Sequence, residues 1–196
     1  MSTPTAPASG LGFSMLFPPG WREFRTDVES ERELTELATR GARDAGRADV
    51  ALAIRQHIHR MFEGLRRRRA LGVHLPVVTM DDSVLPASLT VVPLRFAPGG
   101  LARAVADRAG DAAVEEVDAT GARWYRWYDR ADQLEGQDAA ASVTLHYVIP
   151  RPDDAGALHL LYAYTVLAED RGEEPDRSLE TLGHGIIGTF EWGRPA

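Results

Sequence analysis

Two hydrophobic periods divide this chain. From about Asp27 to Leu71 apolar residues recur every three to four positions, the spacing of a helix face, and from Val73 onward they mostly alternate singly, the spacing of a half-buried strand. Ahead of both, Gly12 to Phe17 reads as a short strand stopped by Pro18, Pro19 and Gly20, after which Trp21 and Phe24 re-enter the interior. Thr26 with Glu29, and Ser30 with Glu33, match the reciprocal capping pattern of a helix start, and Asp27, Glu29, Glu31 and Glu33 suit the positive end of a helix dipole. A helix over about Asp27 to Ala45 follows, with a thin stripe of Leu34, Leu37, Ala38 and Ala45. Gly46 separates it from a second helix, about Arg47 to Leu71, whose stripe Val50, Ile54, Ile58, Met61 and Leu65 is the strongest amphipathic signal in the chain. The pair reads as an antiparallel hairpin.

Strands are expected at Val73 to Met80 and Ala87 to Phe96, with Pro86, Pro93 and Pro98 marking edges, bends or ends rather than a central strand. A short helix fits Leu101 to Arg108. Ala113 to Asp118 and Ala122 to Asp129 flank a turn, and Gln133 to Asp138 is a polar loop. Ala141 to Pro150 and Ala157 to Leu167 form the clearest hairpin. Facing their apolar sets requires Leu145 opposite Tyr162 and Tyr147 opposite Leu160, because a slip of one residue would set His159 against Tyr147. Pro175 suits a first helical position, and Leu179, Leu182, Ile186 and Phe190 form the stripe of a closing helix. Connections too short for crossover helices imply an antiparallel sheet. The expected fold is α+β, an antiparallel meander packed against an N-terminal helix hairpin and a C-terminal helix. Residues 1–10 are expected to be a mobile tail and 11–196 a single domain.

Composition narrows the function. The chain has 196 residues and no cysteine, which excludes disulfides, thiolate metal sites and cysteine nucleophiles. All 22 basic residues are arginine, and the net charge of −7 argues against nucleic acid as a partner. Residues 47–70 nevertheless hold a local balance of +5. Met1 to Gly10 lack the basic and apolar regions of a signal peptide, and no stretch reaches the roughly 18 apolar residues of a membrane span, so a cytoplasmic location without membrane contact is expected.

The opening Phe13-Ser14-Met15-Leu16-Phe17-Pro18-Pro19-Gly20-Trp21, followed by helix, antiparallel meander and terminal helix, resembles the PsbP-like fold, with LpqN-like lipoproteins and effector-associated chaperones of bacterial secretion systems. The terminal Gly188-Thr189-Phe190-Glu191-Trp192 is similar to the end of bacterial proteins with this opening. The resemblance implies an adaptor-like protein that binds rather than catalyses, and it carries no catalytic residue over.

Candidate chemistry is sparse. Gly183-His184-Gly185-Ile186-Ile187-Gly188 spells G-x-G-x-x-G but lacks the preceding strand and the acidic residue some 20 positions on, so close packing of the last helix is the better account. His57 is expected to be a half-buried core histidine. His146 and His159 should be diagonal neighbours on the face opposite the Leu/Tyr set, and with no third ligand in sight the structural reading is preferred to a metal site. No serine elbow or paired carboxylate points to catalysis. Neither a catalytic residue, a cofactor nor a metal is assigned.

Two segments suit partner binding. Arg66, Arg67, Arg68 and Arg69 close the second helix, where cations match the dipole and could also dock an acidic partner. Arg123, Trp124, Tyr125, Arg126, Trp127 and Tyr128 place aromatics on both faces of one strand: either a central strand covered on both sides, or one open aromatic face for a partner. The function expected is a non-enzymatic binding module, a cytoplasmic adaptor or chaperone for a protein partner such as a secreted effector. The alternative is a small-molecule binding domain or an enzyme with a pocket between sheet and helices.

Overall fold

In a computed structural model describing residues 12–77, 85–119, 121–133, 140–153, 156–166 and 177–193, the two periods become two kinds of layer. The helical period forms α1 (Val28–Asp44) and α2 (Ala48–Arg67), and shorter helices follow as α3 (Leu101–Ala109) and α4 (Ser178–Gly188). The strands are β1 (Phe13–Ser14), β2 (Trp21–Arg25), β3 (Gly72–Pro76), β4 (Ala87–Leu94), β5 (Glu115–Ala119), β6 (Ala122–Gln133), β7 (Ala140–Pro150), β8 (Ala157–Val166) and β9 (Glu191–Trp192). Seven of them form an antiparallel sheet in the order β2-β3-β4-β8-β7-β6-β5, and β1 pairs with β9 apart from it. The fold is α+β, as expected. Two meanders, β2-β3-β4 and β5-β6-β7-β8, join where β8 pairs with β4 along the middle of the sheet.

Register decides the faces. Leu145 stands opposite Tyr162 and Tyr147 opposite Leu160, the pairing that keeps both apolar sets on one side. On that side Leu89, Val91, Leu145, Leu160 and Tyr162 pack with Ile186 and Ile187 of the C-terminal helix and with Phe190 just beyond it. Phe13 stacks on Phe190 at 5.8 Å, so the β1-β9 ladder closes the same core. On the opposite side Phe24, Val73 and Val92 lie under Leu34, Ile58, Phe62 and Leu65 of the helix hairpin. α3 sets Val105 and Ala109 against Leu94, Trp127, Val148 and Ala157.

Local chemistry explains most boundaries. The cap of α1 is Asp27, which accepts from the Ser30 amide at 2.8 Å, rather than Thr26 or Ser30; Thr26 instead donates to the Ala70 carbonyl at 3.3 Å. α2 ends in a paired-amide turn, Ala70 N to Leu65 O and Arg69 N to Arg66 O, both 2.9 Å, with Arg69 at φ 54° in the conformation glycine usually supplies.

Several expectations needed correction. The opening strand is only Phe13–Ser14, and a further edge strand, β2, follows the Pro-Pro-Gly turn. Pro93 lies in a central strand after all. The β3 ladder stops at Gly72↔Val91, so at Pro93 only β8 pairs with β4 and no amide is missed on the other side. α4 begins at Ser178, and Pro175, the tail over 1–10, the end of the strand expected to reach Met80 and most of the Gln133 to Asp138 loop lie outside the described residues.

Candidate functional site

β6 is the natural starting point, since its sequence is the most aromatic. Alternation sends Trp124 to the α4 side and Trp127 to the α3 side, and both rings are buried, at 3% and 0% exposure. Trp124 meets Tyr147 and Phe190 edge-on at 6.2 and 5.9 Å. An open aromatic face at Arg123 to Tyr128 is therefore not what the structure has. Helices cover both sides of this strand, as a two-sided core requires, and Tyr125 and Tyr128 are only partly buried at its margins. Arg123 pairs with Glu116 at 3.1 Å and Arg126 with Glu115 at 2.6 Å across the edge strand.

The arginine run divides in the same way. Arg66 is spent inside the hairpin: it donates to the Thr26 carbonyl at 2.9 Å and pairs with Glu31, which also takes His59 Nδ1 at 2.8 Å. These partners hold the Glu31 carboxyl below its usual range against the opposing effect of burial, which is the largest single influence. Arg67 lies within 4.0 Å of Glu63, while Arg68 and Arg69 project from the helix end, both exposed. His57 is exposed rather than half-buried, because the hairpin turns Ile54, Ile58 and Met61 inward and leaves it on the lip of an apolar groove with Arg60 and Leu75.

The two flanks of α4 differ in chemistry. Toward β6 lies a chain of hydrogen bonds whose direction can be read from its ends. Tyr128 donates to Glu180 Oε1 at 3.0 Å, so its oxygen is free to accept from His184 Nε2 at 3.2 Å. His184 Nδ1 then accepts from the Tyr147 hydroxyl at 2.8 Å. Burial, then the Glu180 carboxylate, push the Tyr128 hydroxyl up to about 12, so it stays a donor at neutral pH. Every proton in the chain has an acceptor. Such a chain fastens α4 to the sheet and leaves no unassigned base or nucleophile within it.

Toward the N-terminal segment the flank is apolar and open. Leu16, Phe17 and Pro18 face Leu182, Gly185 and Ile186 across a cleft of about 820 Å³, with Arg177 at one end. Leu16 is 72% exposed. The depth of α4 that forms this cleft depends on Gly183: a Cβ there would stand 2.5 Å from Cδ1 of the Tyr162 ring. Within the G-x-G-x-x-G segment Gly183 thus serves close packing, whereas Gly185 and Gly188 have nothing within 4 Å of where a Cβ would stand. Sequence reasoning passed over Leu16, Tyr147, Glu180 and His184. Only the Glu180/His184 spacing of four residues on one helix carried a signal, and it needed the β6-β7 register to acquire partners.

Among the described residues no group of three or more His, Cys, Asp or Glu stands where it could hold a metal ion, and no helix is long and apolar enough to cross a membrane. Neither a family model nor a curated protein matches the chain. Among solved structures it is similar to LpqN, involved in cell envelope biogenesis of Mycobacterium tuberculosis, at 9% identity over 97% of this chain and 89% of that one, with a TM-score of 0.48. It is also similar to the Ran-binding protein Mog1p of Saccharomyces cerevisiae, at 11% identity over 61% of this chain and 77% of that one, with a TM-score of 0.38.

Proposed function

We propose that the chain is a binding module, adaptor or chaperone-like in role, that takes a protein partner along the cleft between α4 and the Leu16–Pro18 segment. The observation that carries this reading is Leu16, a large apolar side chain 72% exposed beside an apolar cleft, whereas Trp124 and Trp127 are consumed by the core. Exposed apolar area bordered by a groove is what a partner removes from water, at roughly 25 cal/mol per Å². Arg68 and Arg69 offer a separate, purely electrostatic surface, which salt would screen.

Leu16→Asp tests the reading directly. The substitution should leave the denaturant midpoint unchanged and abolish recovery of the proteins captured from lysate by the unaltered chain. Undiminished capture by Leu16→Asp would move the site elsewhere. A second reading, a small apolar ligand in the same cleft, is favoured by its volume of about 820 Å³, within the roughly 300–1,000 Å³ usual for such sites. It differs in outcome: an apolar ligand would raise the melting temperature of the purified chain with no protein present.

A further inference from the structure

On the sheet face away from α4, register sets His146 of β7 diagonal to His159 of β8, and the rings meet, His146 Nδ1 lying 2.9 Å from His159 Nε2. Both are buried, at 7% and 3% exposure. Trp127 stacks on His146 with 4.8 Å between centroids and 10° between planes, and leans on His159 at 5.2 Å. At the outer end Asp129 Oδ2 is 3.0 Å from His146 Nε2, off the axis of a full hydrogen bond.

Proton accounting gives the pair a direction. A neutral pair holds two ring protons on four nitrogens. The carboxylate can only accept, so one proton sits on His146 Nε2 facing Asp129. His146 Nδ1 is then an acceptor and takes the proton of His159 Nε2. His159 Nδ1 remains bare at the inner end, buried and without a partner among the described residues. A third proton has its vacant place there. Burial opposes it first, then His146, Arg108 of α3 and Arg68 at the end of α2, and together they bring His159 down to about 3. Burial and Arg68 also lower His146, against the pull of Asp129.

The elements around this pair are not equally anchored. α2 is held by Ile58, Phe62, Leu65 and the Arg66 bonds. α3 spans nine residues, has no side-chain cap at its start, and rests on the sheet through Val105 and Ala109, with Leu101 and Ala104 partly buried. A helix this short does not persist in water once undocked.

We propose that the His146–His159 pair is an acid-operated latch: a third proton on the pair releases α3 from the sheet and uncovers Trp127 and Val148. With α3 released the imidazoles meet water and return toward their ordinary affinity, so the released state binds more protons and gains population as pH falls. Above about pH 6.5, the ordinary histidine value, the closed state has its full advantage.

The test is amide exchange along α3 and the β7-β8 hairpin of the whole chain over a pH series, corrected for intrinsic rates. Protection of 101–109 should be lost at a higher pH than that of β7 and β8; loss of both together would overturn the latch. Arg108→Gln removes a cation that faces the pair only in the closed state, which narrows the proton-affinity gap between the two states, and should move the α3 transition down by a few tenths of a pH unit. Asp129→Asn removes the anion that favours the proton in the closed state, which widens that gap, and should move it up. In His146→Asn/His159→Gln an amide pair keeps one N–H···O bond without titrating, and α3 should stay protected into acid. If that variant does not fold, the opposite shifts of Arg108→Gln and Asp129→Asn decide, and shifts absent or of the same sign overturn the proposal.

Discussion

At the scale of single residues, the buried and half-buried imidazoles are the most condition-dependent feature. His74 stacks on Phe17 at 4.2 Å, and burial lowers it to about 4 although Glu23 favours its charged form. A histidine whose folded value lies below its unfolded one contributes stability that is complete above about pH 6.5 and is lost as pH falls. His74, His146 and His159 all shift in this direction. The urea midpoint should therefore fall between pH 7 and pH 5, each such group supplying at most about 1.4 kcal/mol per pH unit. His74→Gln should flatten that dependence in equilibrium unfolding measured at both pH values. An equally steep curve would show that His74 reaches water in the folded state.

At the scale of elements, α4 illustrates how one position sets a docking distance. Gly183 lets the helix axis approach the Tyr162 ring, whereas Gly185 has nothing within 4 Å of the place its Cβ would occupy. Gly183→Ala should destabilise by about 1–3 kcal/mol, because the buried ring has no room to yield. Gly185→Ala should stabilise by about 0.5–1 kcal/mol through helix propensity alone. Thermal melts of the two variants should move in opposite directions, and parallel shifts would show that helix propensity, not the ring contact, governs position 183. The Tyr147–His184–Tyr128–Glu180 chain acts at the same scale, fixing the rotation of α4 about its axis by bonds to both β6 and β7.

At the scale of the whole molecule, the sheet is a partition between two cores, and β6 contributes a tryptophan to each. Trp124→Ala and Trp127→Ala should each cost about 3–5 kcal/mol, since each leaves a large void under a helix. Denaturant titrations of the two variants check this; an unshifted midpoint in either would mean that the helix on that side collapses into the space at no cost. The consequence for function is that aromatic content does not mark the recognition surface here. The helices set on both faces consume the rings, and the exposed apolar side chain that borders the open cleft is Leu16, on the margin of α4.

Periodicity alone determined the helix hairpin, the antiparallel β7-β8 pairing with its register, and the proximity of His146 to His159. Each rests on the spacing of apolar side chains along adjoining segments, and a wrong register would bury the polar set. It also required that Trp124 and Trp127 point to opposite faces. Which faces helices would cover was not in that pattern, because α3 and α4 reach β6 from distant positions and any amphipathic helix suits an apolar face. The joining of β4 to β8, the turning of His57 outward and the cleft beside Leu16 were likewise decided only in three dimensions. They depend on how separate elements divide the available sheet surface, and a side chain left over after that division has no local signature in the sequence.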